Sequence, residues 1–178
     1  MRLFVALELP EAVRDSLAGL MVGVPGMRWV PPANYHLTLR FIGEVTPPEA
    51  EEVDLALAGI RAKPFDLRLS GLGIFEKGGR VQSVHAVAER TPALQHLQAK
   101  VETALQRAGL APERRRFAPH VTLARTELVP LDKLAGFLQA HNLFRTEPVP
   151  VEHFTLFSSR LGKEMAVYTP EVDYALAA

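Results

Sequence analysis

The tetrapeptide His36-Leu37-Thr38-Leu39 recurs in the second half of the chain as His120-Val121-Thr122-Leu123. Each copy follows a loop that contains proline. Each copy is also followed by a predicted helix with a proline near its start, Pro47 after the first and Pro130 after the second. Alternating polar and apolar residues predict a strand at each copy. A strand–helix unit that occurs twice favours a molecule with two similar lobes.

Within a strand, residues i and i+2 lie on the same face. His36 and Thr38 therefore share one face, and so do His120 and Thr122, while the aliphatic residues between them point into the core. If the two lobes face each other, two imidazoles and two hydroxyls converge on one cleft.

This arrangement of side chains suits the hydrolysis of a phosphodiester. Histidine, with an ordinary pKa of about 6.5, can give or take a proton near neutral pH. One ring can remove a proton from the attacking water while the other protonates the departing oxygen. The threonine hydroxyls and Arg125 are donors suited to phosphate oxygens. Nothing in this scheme requires a metal ion or another cofactor, and none is expected.

The rest of the sequence predicts an α+β fold with mostly antiparallel sheet. Lys77-Gly78-Gly79 is a hairpin signal between two extended runs. Roughly four helices and seven or eight strands are expected, without the regular alternation of a doubly wound fold. The predicted helices cover 10–21, 46–62, 91–109 and 131–140, and the predicted strands 2–9, 35–42, 65–75, 80–88, 119–124, 147–158 and 164–174. No linker is long enough to divide the chain, so residues 1–178 are predicted to form a single two-lobed domain.

Composition excludes several classes of protein. The 178 residues include 20 basic and 20 acidic side chains, which rules out a protein that binds nucleic acid through a uniformly basic surface. No cysteine is present, so disulfides, iron–sulfur clusters and thiol nucleophiles are impossible. Glu8 and Pro10 interrupt the apolar opening segment well before the ~20 residues that span a bilayer. We expect a cytoplasmic monomer that does not bind membranes.

Other histidines and a basic run give weaker signals. His153-Phe154-Thr155-Leu156 matches the repeated pattern a third time, but no loop proline directly precedes it and another strand follows. We expect His153 to be a strand residue at the surface or on the cleft wall. His85 alternates with Ser83 on a predicted strand and could reach the cleft, although core or edge packing is the simpler expectation. The run 114–116, three arginines, could contact RNA phosphates or form a solvated loop. No cluster with metal-ligand spacing stands out.

Two stretches resemble a known family, the two-histidine phosphoesterases. Residues 28–44 and 119–125 are similar to the motifs of the bacterial and archaeal RNA 2′,3′-cyclic phosphodiesterases, also called 2′-5′ RNA ligases. The resemblance runs nearly end to end. It implies a bilobal α+β fold in which two pseudo-symmetric lobes of mostly antiparallel sheet, with outer helices, form a central cleft. It also implies hydrolysis of a terminal 2′,3′-cyclic phosphate to a 2′-phosphomonoester, with RNA ends or nucleoside 2′,3′-cyclic phosphates as partners.

The same resemblance implies roles for individual residues. It makes His36 the general acid to the leaving 3′ oxygen and His120 the general base for water. It makes Thr38, Thr122 and Arg125 the groups that bind the phosphate. The order of acid and base is open, because a reversible cyclisation exchanges the two roles.

Phe41 matches an aromatic residue that the family associates with the terminal base. On a regular strand its side chain would lie on the face opposite His36, so a bend would be needed to bring it to the ligand. Two other functions stay open at this point, a ligase-like joining of 2′-phosphodiester bonds and a module that binds RNA ends without turnover.

Overall fold

The computed structural model describes residues 1–21, 24–126 and 129–178. The helices are α1 (Glu11–Ala18), α2 (Pro47–Ala58), α3 (Pro92–Arg107) and α4 (Leu131–His141). The strands are β1 (Arg2–Glu8), β2 (Arg28–Trp29), β3 (His36–Glu44), β4 (Phe65–Leu67), β5 (Leu69–Lys77), β6 (Arg80–Ala88), β7 (His120–Arg125), β8 (Val149–Val151), β9 (His153–Leu161) and β10 (Ala166–Ala175). Within these described ranges, no helix has the length and apolar character needed to cross a bilayer.

The strands form two four-stranded antiparallel sheets, one for each lobe. The first has the order β10-β9-β1-β3 and the second the order β2-β7-β6-β5. Strands β3 and β7, which begin with the two repeated motifs, contact each other across the sheets. The α+β class and the two pseudo-symmetric lobes are thus confirmed. This topology places the repeats at the centre of the molecule.

Ten strands lie within the described residues, more than the expected seven or eight, because two predicted strands are each divided and the short β2 is added. The run 65–75 is interrupted at Arg68 and the run 147–158 at Glu152, and the short first parts, β4 and β8, pair with each other. Because β4 leads into the second sheet and β8 into the first, this small third sheet links the lobes. Local periodicity identifies extended backbone but not its partner, so this pairing could not be read from the sequence.

The ends of two elements follow directly from local chemistry. The Thr46 hydroxyl accepts a hydrogen bond from the amide of Glu49, and the Glu49 carboxylate accepts one from the amide of Thr46. This capping box begins α2, as predicted. Gly78 and Gly79 both have positive φ, of 60° and 77°, and form the tight turn between β5 and β6.

A hydrophobic cluster includes buried residues from both large sheets. It contains the aliphatic residues of the repeats, Leu37, Leu39, Val121 and Leu123, which are almost fully buried. Burial of these side chains fixes the opposite faces of β3 and β7, where the histidines and threonines lie. The extent of the predicted single domain, 1–178, stays a prediction.

Candidate active site

The two repeated histidines occupy equivalent positions and make equivalent hydrogen bonds. Each is the first residue of its strand, and each ring bonds through Nδ1 to the carbonyl two residues earlier. His36 bonds to Asn34 at 2.7 Å and His120 bonds to Ala118 at 2.6 Å. A carbonyl oxygen can only accept, so Nδ1 carries the hydrogen in both rings. The neutral rings therefore present the lone pair of Nε2, and the protonated rings present an Nε2–H donor.

The register of β3 against β1 shifts directly after the half-buried Thr38, where Leu39 is an extra residue. Such a bulge reverses the alternation of the residues that follow it. Phe41 consequently lies on the face of His36, and both rings contact Phe4, with centroid distances of 6.1 and 4.9 Å. On a regular strand Phe41 would face away from His36, and the bulge supplies the bend that its approach to a ligand requires. Its ring is 59% exposed and available to a ligand.

The second repeat contains the same irregularity. The register of β7 against β6 shifts directly after Thr122, which is also half-buried, and Leu123 is the extra residue. Arg125 is therefore brought to the face of His120, at the position equivalent to Phe41 in the first lobe. Arg125 is exposed, and its charge reaches His120 strongly enough to lower the pKa of that ring.

Burial and a nearby positive charge depress the pKa of both histidines. Burial is the main cause for His36; the Asn34 carbonyl opposes it, and the charge of His120 lowers the pKa further. Burial is also the main cause for His120, opposed by the Ala118 carbonyl and reinforced by Arg125. The two rings are close enough to disfavour double protonation. Two neighbouring histidines with depressed pKa values are candidates for acid–base catalysis.

Aromatic side chains surround the His36 ring. Tyr168 meets it edge-on at 5.2 Å, and Phe4 lies at 4.9 Å. Phe4 also stacks on Phe157 at 5.1 Å. These rings come from β1, β9 and β10 and form the floor of the first lobe beside the histidine. They limit the access of water to the ring, which accounts for its depressed pKa.

His85, on β6, is a neighbour of His120 that the sequence did not assign to the site. Its ring is buried, stacks on Phe75 at 4.3 Å and lies 5.0 Å from His120. Burial, with the charge of His120, lowers the pKa of His85 to about 4, so His85 is neutral near pH 7. A Cβ at Gly73 would lie 2.7 Å from His85 Nε2, so the ring fills the space beside this glycine. In the sequence, a glycine opposite His85 on the neighbouring strand would have indicated space for its ring. Recognising that Gly73 is this glycine requires the register of β5 against β6.

The third copy of the pattern has different surroundings. His153 Nε2 lies 3.7 Å from a carboxylate oxygen of Glu8 and 3.9 Å from one of Asp173. These donor atoms lie within 4.8 Å of one another and could hold a cation. An ion pair between a protonated ring and two carboxylates accounts for the same distances. The group comes from β9, β1 and β10, so no spacing along the sequence could have revealed it.

The basic run 114–116 lies in the loop before β7, and its three side chains are exposed. Arg115 forms an ion pair with Glu113 at 3.8 Å. Contact between this run and RNA stays a prediction.

Comparison with known proteins agrees with this geometry. The model of the LigT-like phosphoesterase family matches residues 7–84, which contain the His36 motif, and again residues 84–168, which contain the His120 motif. An RNA 2′,3′-cyclic phosphodiesterase of Thermus thermophilus is 38% identical over 99% of this chain and 90% of its own length. One of Aeropyrum pernix is 44% identical, over 64% of this chain and 63% of its own length.

A solved structure of Escherichia coli LigT complexed with 3′-AMP is also similar. It matches with a TM-score of 0.78 and 28% identity over 99% of this chain and 98% of that one. The chain therefore belongs to the LigT-like phosphoesterase family.

Proposed function

We propose that this protein hydrolyses the 2′,3′-cyclic phosphate of RNA ends to a 2′-phosphomonoester, with His36 as general acid and His120 as general base. Family membership and the names of the relatives support the reaction. One observation supports proton transfer by both histidines most directly. Both Nδ1 atoms are bound to backbone carbonyls, which leaves both Nε2 atoms for proton transfer.

In the proposed reaction, the oxygen of a water molecule attacks phosphorus while His120 Nε2 accepts a proton from that water. The bond between phosphorus and O3′ breaks, and His36 Nε2–H gives its proton to O3′. The products are a 2′-phosphomonoester and a free 3′-hydroxyl. Proton exchange with solvent then returns His36 to its protonated form and His120 to its neutral form.

The depressed pKa values favour one half of this assignment directly. Burial and the Arg125 charge keep His120 neutral, as a base must be. His36 must be protonated, and the negative charge of a bound cyclic phosphate would favour its imidazolium form. Substrate binding would thus raise the pKa of His36 and prepare the acid.

The remaining residues of the cleft would bind the substrate. Arg125, exposed on the face of His120, would bind non-bridging oxygens of the phosphate. Thr38 and Thr122, one from each lobe, would donate hydroxyl hydrogen bonds to the same group. The exposed ring of Phe41 would stack on the terminal base.

Hydrolysis of a nucleoside 2′,3′-cyclic phosphate in excess EDTA tests the proposal, with the product identified by phosphorus NMR. The expected product is the nucleoside 2′-phosphate, formed at a rate that EDTA leaves unchanged. Formation of the 3′-phosphate would mean that the bond to O2′ breaks and would contradict the assignment. Absence of turnover would contradict the function itself.

A further inference from the structure

A cavity of about 230 Å³ adjoins the His36 ring. It lies where β3 begins and β1 ends, because Glu8 is paired with His36, whereas Phe41 lies further along β3. Phe157, Tyr168 and Pro170 extend the cavity wall to β9 and β10, and Phe41 is not part of that wall. The polar residues of its wall are Glu8, Arg14, Asn34, Tyr35, His36 and Tyr168.

Arg14 supplies a positive charge to this cavity and is not used by the reaction described above. It lies on α1, and its Nε is buried without a hydrogen-bond partner among the residues that the structure describes. Arg14 lines the cavity wall and its Nε has no partner among those residues, so the arginine is a charged group that an anion in the cavity could pair with. The planar guanidinium group is suited to a phosphate.

The other charged group of the cavity wall is Glu8, whose carboxylate lies 3.7 Å from His153. This neighbour offsets the negative charge of Glu8 when its ring is protonated. Asn34 lies in the cavity wall, and its backbone carbonyl accepts the hydrogen bond that holds the His36 ring. The cavity is thus adjacent to the acid and is not a separate surface feature.

From this placement we infer that the cavity binds the RNA backbone on the 5′ side of the terminal nucleotide, with its phosphodiester on Arg14. The inference rests on the proposed function, since it places the cyclic phosphate between the histidines and the terminal base on Phe41. The volume is below the ~300 Å³ of a typical small-molecule pocket, which suits one sugar–phosphate unit. The protein therefore prefers an oligonucleotide end over a mononucleotide.

Kinetic comparison of two substrates tests this inference. They are a nucleoside 2′,3′-cyclic phosphate and a dinucleotide that ends in the same group. We expect wild-type kcat/KM to be higher for the dinucleotide. Arg14→Gln should lower kcat/KM for the dinucleotide at least about tenfold, because one charged contact is lost. It should change kcat/KM for the nucleoside substrate by no more than about twofold. The matched control is Arg107→Gln, which removes an exposed arginine at the end of α3 and should change neither value.

Equal wild-type values for the two substrates, or equal effects of Arg14→Gln on both, would overturn the inference. Arg14→Lys keeps the charge and should retain most of the preference, so it provides the test if Arg14→Gln does not fold. Binding of the 2′-phosphate products, measured by calorimetry, separates this inference from the proposed function. If Arg14→Gln weakens binding of the dinucleotide product but not of the nucleoside product, the result would support the cavity as a site for the RNA backbone, even if no turnover were found.

Discussion

Replacement of His85 by phenylalanine should remove a large part of the protein's sensitivity to acid. In the folded protein the pKa of His85 is lowered to about 4, first by burial and second by the charge of His120. In the unfolded chain the ring has its ordinary pKa of 6.5. Folding therefore favours the neutral ring. This contribution to stability is complete above pH 6.5 and is lost as the pH falls toward 4.

The size of the effect follows from these two values. Between about pH 7 and about pH 4.5, the wild type should lose about 2 kcal/mol of unfolding free energy through this residue. His85→Phe replaces the imidazole with a ring that cannot be protonated. The variant should therefore keep the unfolding free energy that the wild type loses through His85 on acidification. Any change in packing that the larger ring causes acts equally at both pH values and cancels in the comparison.

Urea unfolding followed by circular dichroism at the two pH values measures this difference. With a typical slope of about 2 kcal/mol per molar urea, the shift in midpoint between the pH values should differ by about 1 M between the two proteins. His96→Phe is the matched control, because it makes the same replacement at an exposed position on α3. If His85→Phe and the wild type lose equal stability on acidification, then His85 is not held neutral in the fold.

Three further outcomes are expected from the same structure. Glu102→Ala should lower the unfolding free energy by about 3 kcal/mol in urea titrations, because the buried Arg40, which Glu102 binds at 2.9 Å, loses its ion-pair partner. A loss below 1 kcal/mol would contradict a structural role for this pair. The kcat/KM profile should be bell-shaped with its maximum below the ordinary imidazole pKa of 6.5, because burial lowers the pKa of both His36 and His120; a monotonic profile would exclude paired acid–base work. Phe41→Ala should raise KM for a nucleoside cyclic phosphate about tenfold and leave kcat nearly unchanged, because stacking on an exposed ring aids binding; a fall confined to kcat would refute a stacking role.

Sequence patterns were sufficient wherever the physical cause is local. The box formed by Thr46 and Glu49 predicts the start of α2, and two consecutive glycines predict the turn at 78–79. Alternation predicts that the residues between each histidine and threonine are buried. The repeat itself predicts two similar lobes, because the same local pattern folds in the same way twice.

Features that depend on neighbouring strands were beyond the sequence. The extra residues Leu39 and Leu123 are defined only by the register against β1 and β6, and no residue type at these positions indicates a bulge. Yet these bulges bring Phe41 and Arg125 to the side of the histidines. The same limit applies to His85, which reaches His120 through strand pairing.

Hydrolysis of a nucleoside 2′,3′-cyclic phosphate by three alanine variants tests the central claim most directly, since the chain contains three copies of the motif. His36→Ala and His120→Ala should each lower kcat by a factor of about 100 or more in the presence of EDTA. His153→Ala, with two carboxylates as neighbours, should retain the wild-type rate. A near-normal rate for either of the first two variants, or an equal loss for the third, would contradict a reaction carried by two histidines from facing lobes.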